Sequence, residues 1–237
     1  MTIIEHLEEL RVRLLVSLGA FAVGTAVSFL FVERILGLLL RPVGRVVFLA
    51  PTEAFFVRMK VAALAGVFLS LPVILVQIWR FVSVGLTPTE RRYTLSLLPA
   101  ALVLFVAGGA FAFLVILPIG VRFLLSYQTE NLVPMISVQA YTSFATAFVL
   151  AFGLLFQMPV VILFLARLGL VTPASLAAGR KYALLGIVIA SAVLTPGGDV
   201  VSQMLMAVPT YLLYEASIWI ARLVAPRPVP QESPDTN

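Results

Sequence analysis

Apolar residues run along this chain in six long stretches separated by short polar islands. The stretches lie at about 14–32, 61–79, 95–121, 140–166, 182–195 and 200–221, and only the last contains a charge, Glu215. About 20 apolar residues in helix cross a hydrocarbon layer about 30 Å thick, so the pattern predicts an all-α polytopic membrane protein with six transmembrane helices. Ahead of the first stretch, Ile3, Ile4, Leu7, Leu10 and Leu14 recur at helical spacing with Glu5, Glu8, Glu9, Arg11 and Arg13 between them. Residues 1–13 therefore read as an amphipathic helix at the membrane interface that feeds the first span. Glu9 lies four residues before Arg13, the spacing of a local helix ion pair.

The islands and interruptions carry the rest of the organisation. Ser17, Gly19, Gly24, Thr25 and Ser28 give the first span a small-residue face suited to close helix packing. Residues 33–60 form a loop broken by Pro42 and Pro51, with Thr52–Phe56 as a short interfacial helix. Pro72 kinks the second span, and Gln77 lies near its end. In the island at 86–92, Thr87-Pro88-Thr89-Glu90 has the spacing of a capping box with proline at the first helical position. Glu90 is thus either a cap or a surface carboxylate that receives a cation. The third span is longer than a membrane needs, and the fourth contains Gln157-Met158-Pro159. Thr172-Pro173 again reads as N-cap and first helical residue. The fifth span has only 14 residues, roughly 21 Å by helical rise. A turn at Pro196–Asp199 leads into the sixth, which holds Gln203, Pro209 and Glu215. Residues 1–225 form one membrane domain, and 226–237 are a proline-rich polar tail expected to be disordered.

Composition agrees: 61% of the 237 residues are hydrophobic and 11% charged, against about 25% charged in soluble domains, and the mean hydropathy is +1.09. There is no cysteine and one histidine, His6, so neither thiolate chemistry nor a histidine-rich metal site is expected. No phosphate loop, nucleophile elbow or dinucleotide fingerprint is present, and no cofactor or enzymatic activity is expected. The net charge of +5 comes from basic residues at span ends, a membrane pattern rather than a nucleic-acid surface. Acidic and amphipathic residues precede the first span, unlike a cleavable signal. Ten Lys and Arg flank one side of the six spans and six the other, five of those in the first loop. The excess places both termini in the cytoplasm. A faint direct echo links Pro72, Gly85–Pro88 and Arg91–Tyr93 to Pro159, Gly169–Pro173 and Arg180–Tyr182; an internal repeat and convergent turn chemistry both account for it.

Four segments in register carry a family resemblance: HLEELR at 6–11, PVILVQIWRFV at 72–82 leading to GL-x-P-x-ERR at 85–92, FG-x-x-F-x-x-P at 152–159, and LTP-x-x-D with SQ at 194–203. Together they resemble TatC, the multispanning core subunit of the twin-arginine protein translocase, from residue 5 to about 222. The resemblance implies a glove-like six-helix bundle in the cytoplasmic (inner) membrane with no catalytic activity. It implies a receptor that binds Arg-Arg signal peptides and exports folded proteins on the proton-motive force, with the single-span subunits TatA and TatB, other copies of itself and membrane lipid as partners.

By the same resemblance, Glu9 and Glu90 receive the arginine pair, and Arg11, Arg91, Arg92 and Phe81 share their cytoplasmic surface. The chemistry suits the role, because arginine presents a planar fork that lysine lacks. The family often has a glutamate where this chain has Gln157; the neutral amide leaves that position a polar role, lining a wet cavity or docking a partner helix. Glu215 either snorkels to the interface or is functional. The short fifth and sixth spans leave Thr195 and Gln203 as expected docking points for the single-span partners. A small secondary transporter or channel with Gln77, Gln157 and Gln203 along its path is the alternative, and an inert membrane scaffold is a third.

Overall fold

Long charge-free stretches in hydrocarbon leave each backbone amide only its own chain to bond, so they become helices. The computed structural model describes residues 3–83, 87, 90–91, 95–129, 134–195 and 199–224. Pro88, Arg92, the turn at 196–198 and the tail at 226–237 lie outside the described residues. Among the described residues the regular elements are helices, joined by turns and loops, and an isolated bridge pairs Val47 with Ser137.

Ten α-helices are described: α1 (Ile3–Phe29), α2 (Val32–Leu39), α3 (Glu53–Val82), α4 (Leu98–Phe111), α5 (Leu117–Leu125), α6 (Val138–Leu155), α7 (Met158–Arg167), α8 (Pro173–Ala178), α9 (Arg180–Leu194) and α10 (Val200–Val224). Five helical units are long and apolar enough to cross a membrane: α1, α3, α4 through α5, α6 through α7, and α10. The 15-residue α9, about 22 Å long, is shorter than these.

The breaks follow the prolines, though not uniformly. α3 runs unbroken through Pro72 and begins at Glu53, so Thr52–Phe56 is not a separate interfacial helix but the first turn of the span. Pro118, which has no amide hydrogen to donate, follows a π turn at Ala112–Ile116 that joins α4 to α5. Pro159 sits in the first turn of α7, and the chain tightens at Phe156–Gln157, where the Gln157 amide bonds the Leu154 carbonyl at 3.0 Å.

Antiparallel packing gives the bundle two ends. His6 of α1 stacks on Phe81 of α3 with ring centroids 4.5 Å apart, which defines the near end. At the far end Val47 pairs with Ile136 and Val138 at 2.9 and 2.8 Å, clipping the segment before α3 to the segment before α6. The Glu53 carboxylate, 9% exposed, reinforces the clip by accepting from the Leu49 amide at 3.1 Å and the Ser137 hydroxyl at 3.4 Å. Three apolar clusters fill the interior. One joins α2, α3, α5 and α6 around Phe148 and Phe152. A second joins the near half of α3 to α4 and α7, with Trp79 edge-on to Phe164 at 5.2 Å. The third joins α7 to α9 and α10 around Ile218.

Candidate functional site

The site at the near end is built on the seam between α1 and α3. Gly24 and Gly66 let the two backbones touch: a Cβ on Gly24 would lie 2.8 Å from the Gly66 carbonyl oxygen. From that crossing the helices run together toward the near end, where Arg13 meets Gln77 and His6 meets Phe81. Glu9 lies on the same stripe of α1, so its carboxylate turns into the seam instead of toward solvent. Its Oε1 accepts from Arg13 Nη2 at 2.9 Å, and Arg13 Nη1 donates to Gln77 Oε1 at 3.0 Å. The Glu9 side chain is 17% exposed, while Gln77 is 8% exposed. The predicted i,i+4 pair therefore forms, with a third member from another helix. Arg11 points outward and is exposed.

Beyond α3 the predicted capping box is present. Glu90 Oε2 accepts from the Thr87 amide and the Thr87 hydroxyl, each at 2.8 Å, while the Glu90 amide donates to the Thr87 hydroxyl at 3.4 Å. These bonds, the Thr87 amide first, hold the Glu90 carboxyl below the usual carboxylate range. Arg91 follows, exposed, with its amide on the Thr87 carbonyl at 2.9 Å. Glu9 and Glu90 thus share one end of the molecule but are fixed by different neighbours, the first by the helix seam and the second by its own turn.

Gln157, Glu215, Thr195 and Gln203 each have a partner inside the bundle. The Gln157 side-chain amide donates to the Ala101 carbonyl of α4 at 3.0 Å, so it joins two helices of this chain. Glu215 does not snorkel alone: Arg180 grips it fork to fork, Nε to Oε1 at 2.7 Å and Nη2 to Oε2 at 2.8 Å, and the Tyr211 hydroxyl donates to Oε1 at 3.0 Å. Nothing in the local sequence links Arg180 to Glu215, because 35 residues separate the pair. At the far end, the Thr195 hydroxyl is 5% exposed and donates to the Ser191 carbonyl, while Gln203 Nε2 donates to the Val188 carbonyl at 3.1 Å. Both anticipated docking residues spend a donor on α9, and Gln203 Oε1 keeps its acceptor capacity. Among the described residues, no three His, Cys, Asp or Glu side chains converge as metal ligands would.

The sequence profile of the family described as Sec-independent protein translocase protein (TatC) matches residues 5–209. The TatC of Carboxydothermus hydrogenoformans is 44% identical over 231 residues, covering 96% of this chain and 95% of that protein. The TatC of Aquifex aeolicus is 38% identical over 231 residues, covering 94% of this chain and 95% of that one. A crystal structure described as the twin arginine translocase receptor TatC superposes with a TM-score of 0.82 at 36% identity, covering 92% of this chain and 99% of that one.

Proposed function

Because this chain belongs to the TatC family and is a multi-pass membrane protein, we propose that it is the receptor subunit of a twin-arginine translocase. Its near end binds signal peptides that carry consecutive arginines, and its work is transport rather than catalysis. Two fixed carboxylates at one end carry the proposal: Glu9 in the α1/α3 seam and Glu90 in the turn after α3. Two guanidinium groups in succession need two acceptors held at fixed positions, and a carboxylate meets the arginine fork with charge-assisted bonds that a lysine cannot duplicate. Arg11 and Arg91, with Arg92 next in sequence, border the site, and Phe81 gives it an apolar neighbour.

In this proposal α9 crosses the membrane as a sixth span beside the five longer ones, in a glove-like bundle. The near end faces the cytoplasm of the inner membrane, with both termini there, as the excess of basic residues on that side favours. The short α9 either thins the bilayer or is covered by another helix. The single-span subunits TatA and TatB dock along α9 and α10, with Gln203 Oε1 as a polar anchor and Thr195 beside it. Assembly with other copies of the chain and the proton-motive force then drive export of folded cargo. A transporter or channel is less well supported, because the amides of Gln77, Gln157 and Gln203 are bonded to Arg13, Ala101 and Val188 instead of facing an open path.

Photo-crosslinking tests the assignment. A probe beside the arginine pair of a signal peptide should capture residues of the 6–13 and 87–91 segments. Capture at the far end, around Glu53 or Ser137, would contradict it.

A further inference from the structure

Arg13 and Gln77 form a device that helix formation alone does not require. An ion pair at i,i+4 arises on many helices, but here α3 supplies a buried amide whose oxygen holds the guanidinium from the other side. The network is also incomplete. Glu9 Oε2 and Arg13 Nε are both shielded from solvent and have no hydrogen-bond partner among the described residues. Withholding a charged acceptor and a charged donor from both water and partners is costly, so the closed arrangement is poised to exchange. A second guanidinium reaching Glu9 would give Oε2 its donor, and Arg13 turned outward would regain water.

We propose that Arg13 is an internal stand-in for the incoming arginine: it occupies Glu9 in the empty receptor, Gln77 retains it there, and a peptide arginine displaces it. This rests on the reading that Glu9 receives a peptide arginine. The latch sets a threshold as well as a delay. Exchange of one guanidinium for another conserves both the charge and the planar donor geometry, whereas exchange for an ammonium conserves only the charge. Discrimination between Arg-Arg and Lys-Lys stays with the Glu9 carboxylate, since the latch handicaps both peptides by the same factor. Because only the fraction of receptors with Arg13 released is competent, the latch also lowers the apparent affinity by that fraction.

Substitutions at Gln77 test the latch without touching either charge of the pair. The full chain in lipid nanodiscs is titrated with a fluorescent Arg-Arg signal peptide and with its Lys-Lys counterpart. Gln77→Leu removes the acceptor that retains Arg13, so Arg-Arg binding should tighten roughly threefold or more as the competent fraction rises. Lys-Lys binding should tighten by the same factor, leaving the discrimination unchanged. Gln77→Glu strengthens the hold on Arg13 and should weaken Arg-Arg binding. A general packing defect would move both variants in one direction, so opposite shifts identify the latch. Unchanged or weaker binding in Gln77→Leu, with binding still lost in Glu9→Gln, would overturn the latch and leave the receptor role standing. Unchanged binding in Glu9→Gln would overturn both.

Discussion

The side-chain amide of Gln157, at the break between α6 and α7, donates to the backbone carbonyl of Ala101 on α4 at 3.0 Å. A carbonyl accepts only from a donor, so this position needs an N–H or O–H. Gln157→Leu should therefore destabilise the bundle by about 0.6–2 kcal/mol, the range for an interhelical hydrogen bond in a membrane. Gln157→Glu should be pH-sensitive: the acid form can donate to Ala101 and the carboxylate cannot, so stability falls as pH rises. Thermal unfolding in detergent across a pH series checks both. A pH-independent Gln157→Glu variant as stable as the parent would show that the Ala101 contact contributes nothing.

Arg180 and Glu215 tie the start of α9 to the near-end turns of α10, with Tyr211 completing the carboxylate. Arg180→Ala and Glu215→Ala should each lower the unfolding temperature, since each leaves a charge without its fork partner. The exchanged pair, Arg180→Glu with Glu215→Arg, should recover part of the loss. Failure of the exchange to recover any of it would assign the single-variant effects to packing.

The Glu90 carboxyl is held below its ordinary range by the Thr87 amide and hydroxyl. A depressed folded-state value means the ionised carboxylate is the form that stabilises the turn. Its contribution is complete above the ordinary carboxylate value of about 4.3 and is lost as pH falls through the lowered one. A carboxyl carbon titration by NMR should give a midpoint for Glu90 below that of an unfolded peptide. A midpoint at or above it would mean that the capping contacts are not made.

Much of this was legible because membrane helices are dictated by composition and caps by local spacing. The long apolar stretches locate the five long helical units, and Thr87/Glu90 and Thr172/Ser175 form capping boxes where Thr-Pro marks a helix start. Proline positions say less about outcome: Pro72 passes through α3 without a break, Pro118 follows a π turn, and Pro159 sits in the first turn of α7 after the break at Phe156–Gln157. The same residue type thus has three outcomes, and no local window tells them apart. Long-range polar partners were equally hidden. Arg13 to Gln77, Glu53 to Ser137 and Arg180 to Glu215 join residues 64, 84 and 35 positions apart, and only the α1/α3 crossing at Gly24 and Gly66 had a signal, the small-residue face of the first span.

The receptor role itself is tested most directly by peptide binding to charge-neutral variants. Fluorescent Arg-Arg and Lys-Lys signal peptides are titrated against the parent chain, Glu9→Gln and Glu90→Gln in nanodiscs. Glu90→Gln keeps a side chain able to cap the Thr87 amide while removing the charge, so it separates recognition from helix capping. The parent should prefer Arg-Arg, and each variant should lose roughly tenfold or more of that affinity, as expected when one partner of a charge-assisted pair is removed. Parent-level Arg-Arg affinity in both variants would contradict the account and reduce Glu9 and Glu90 to structural groups.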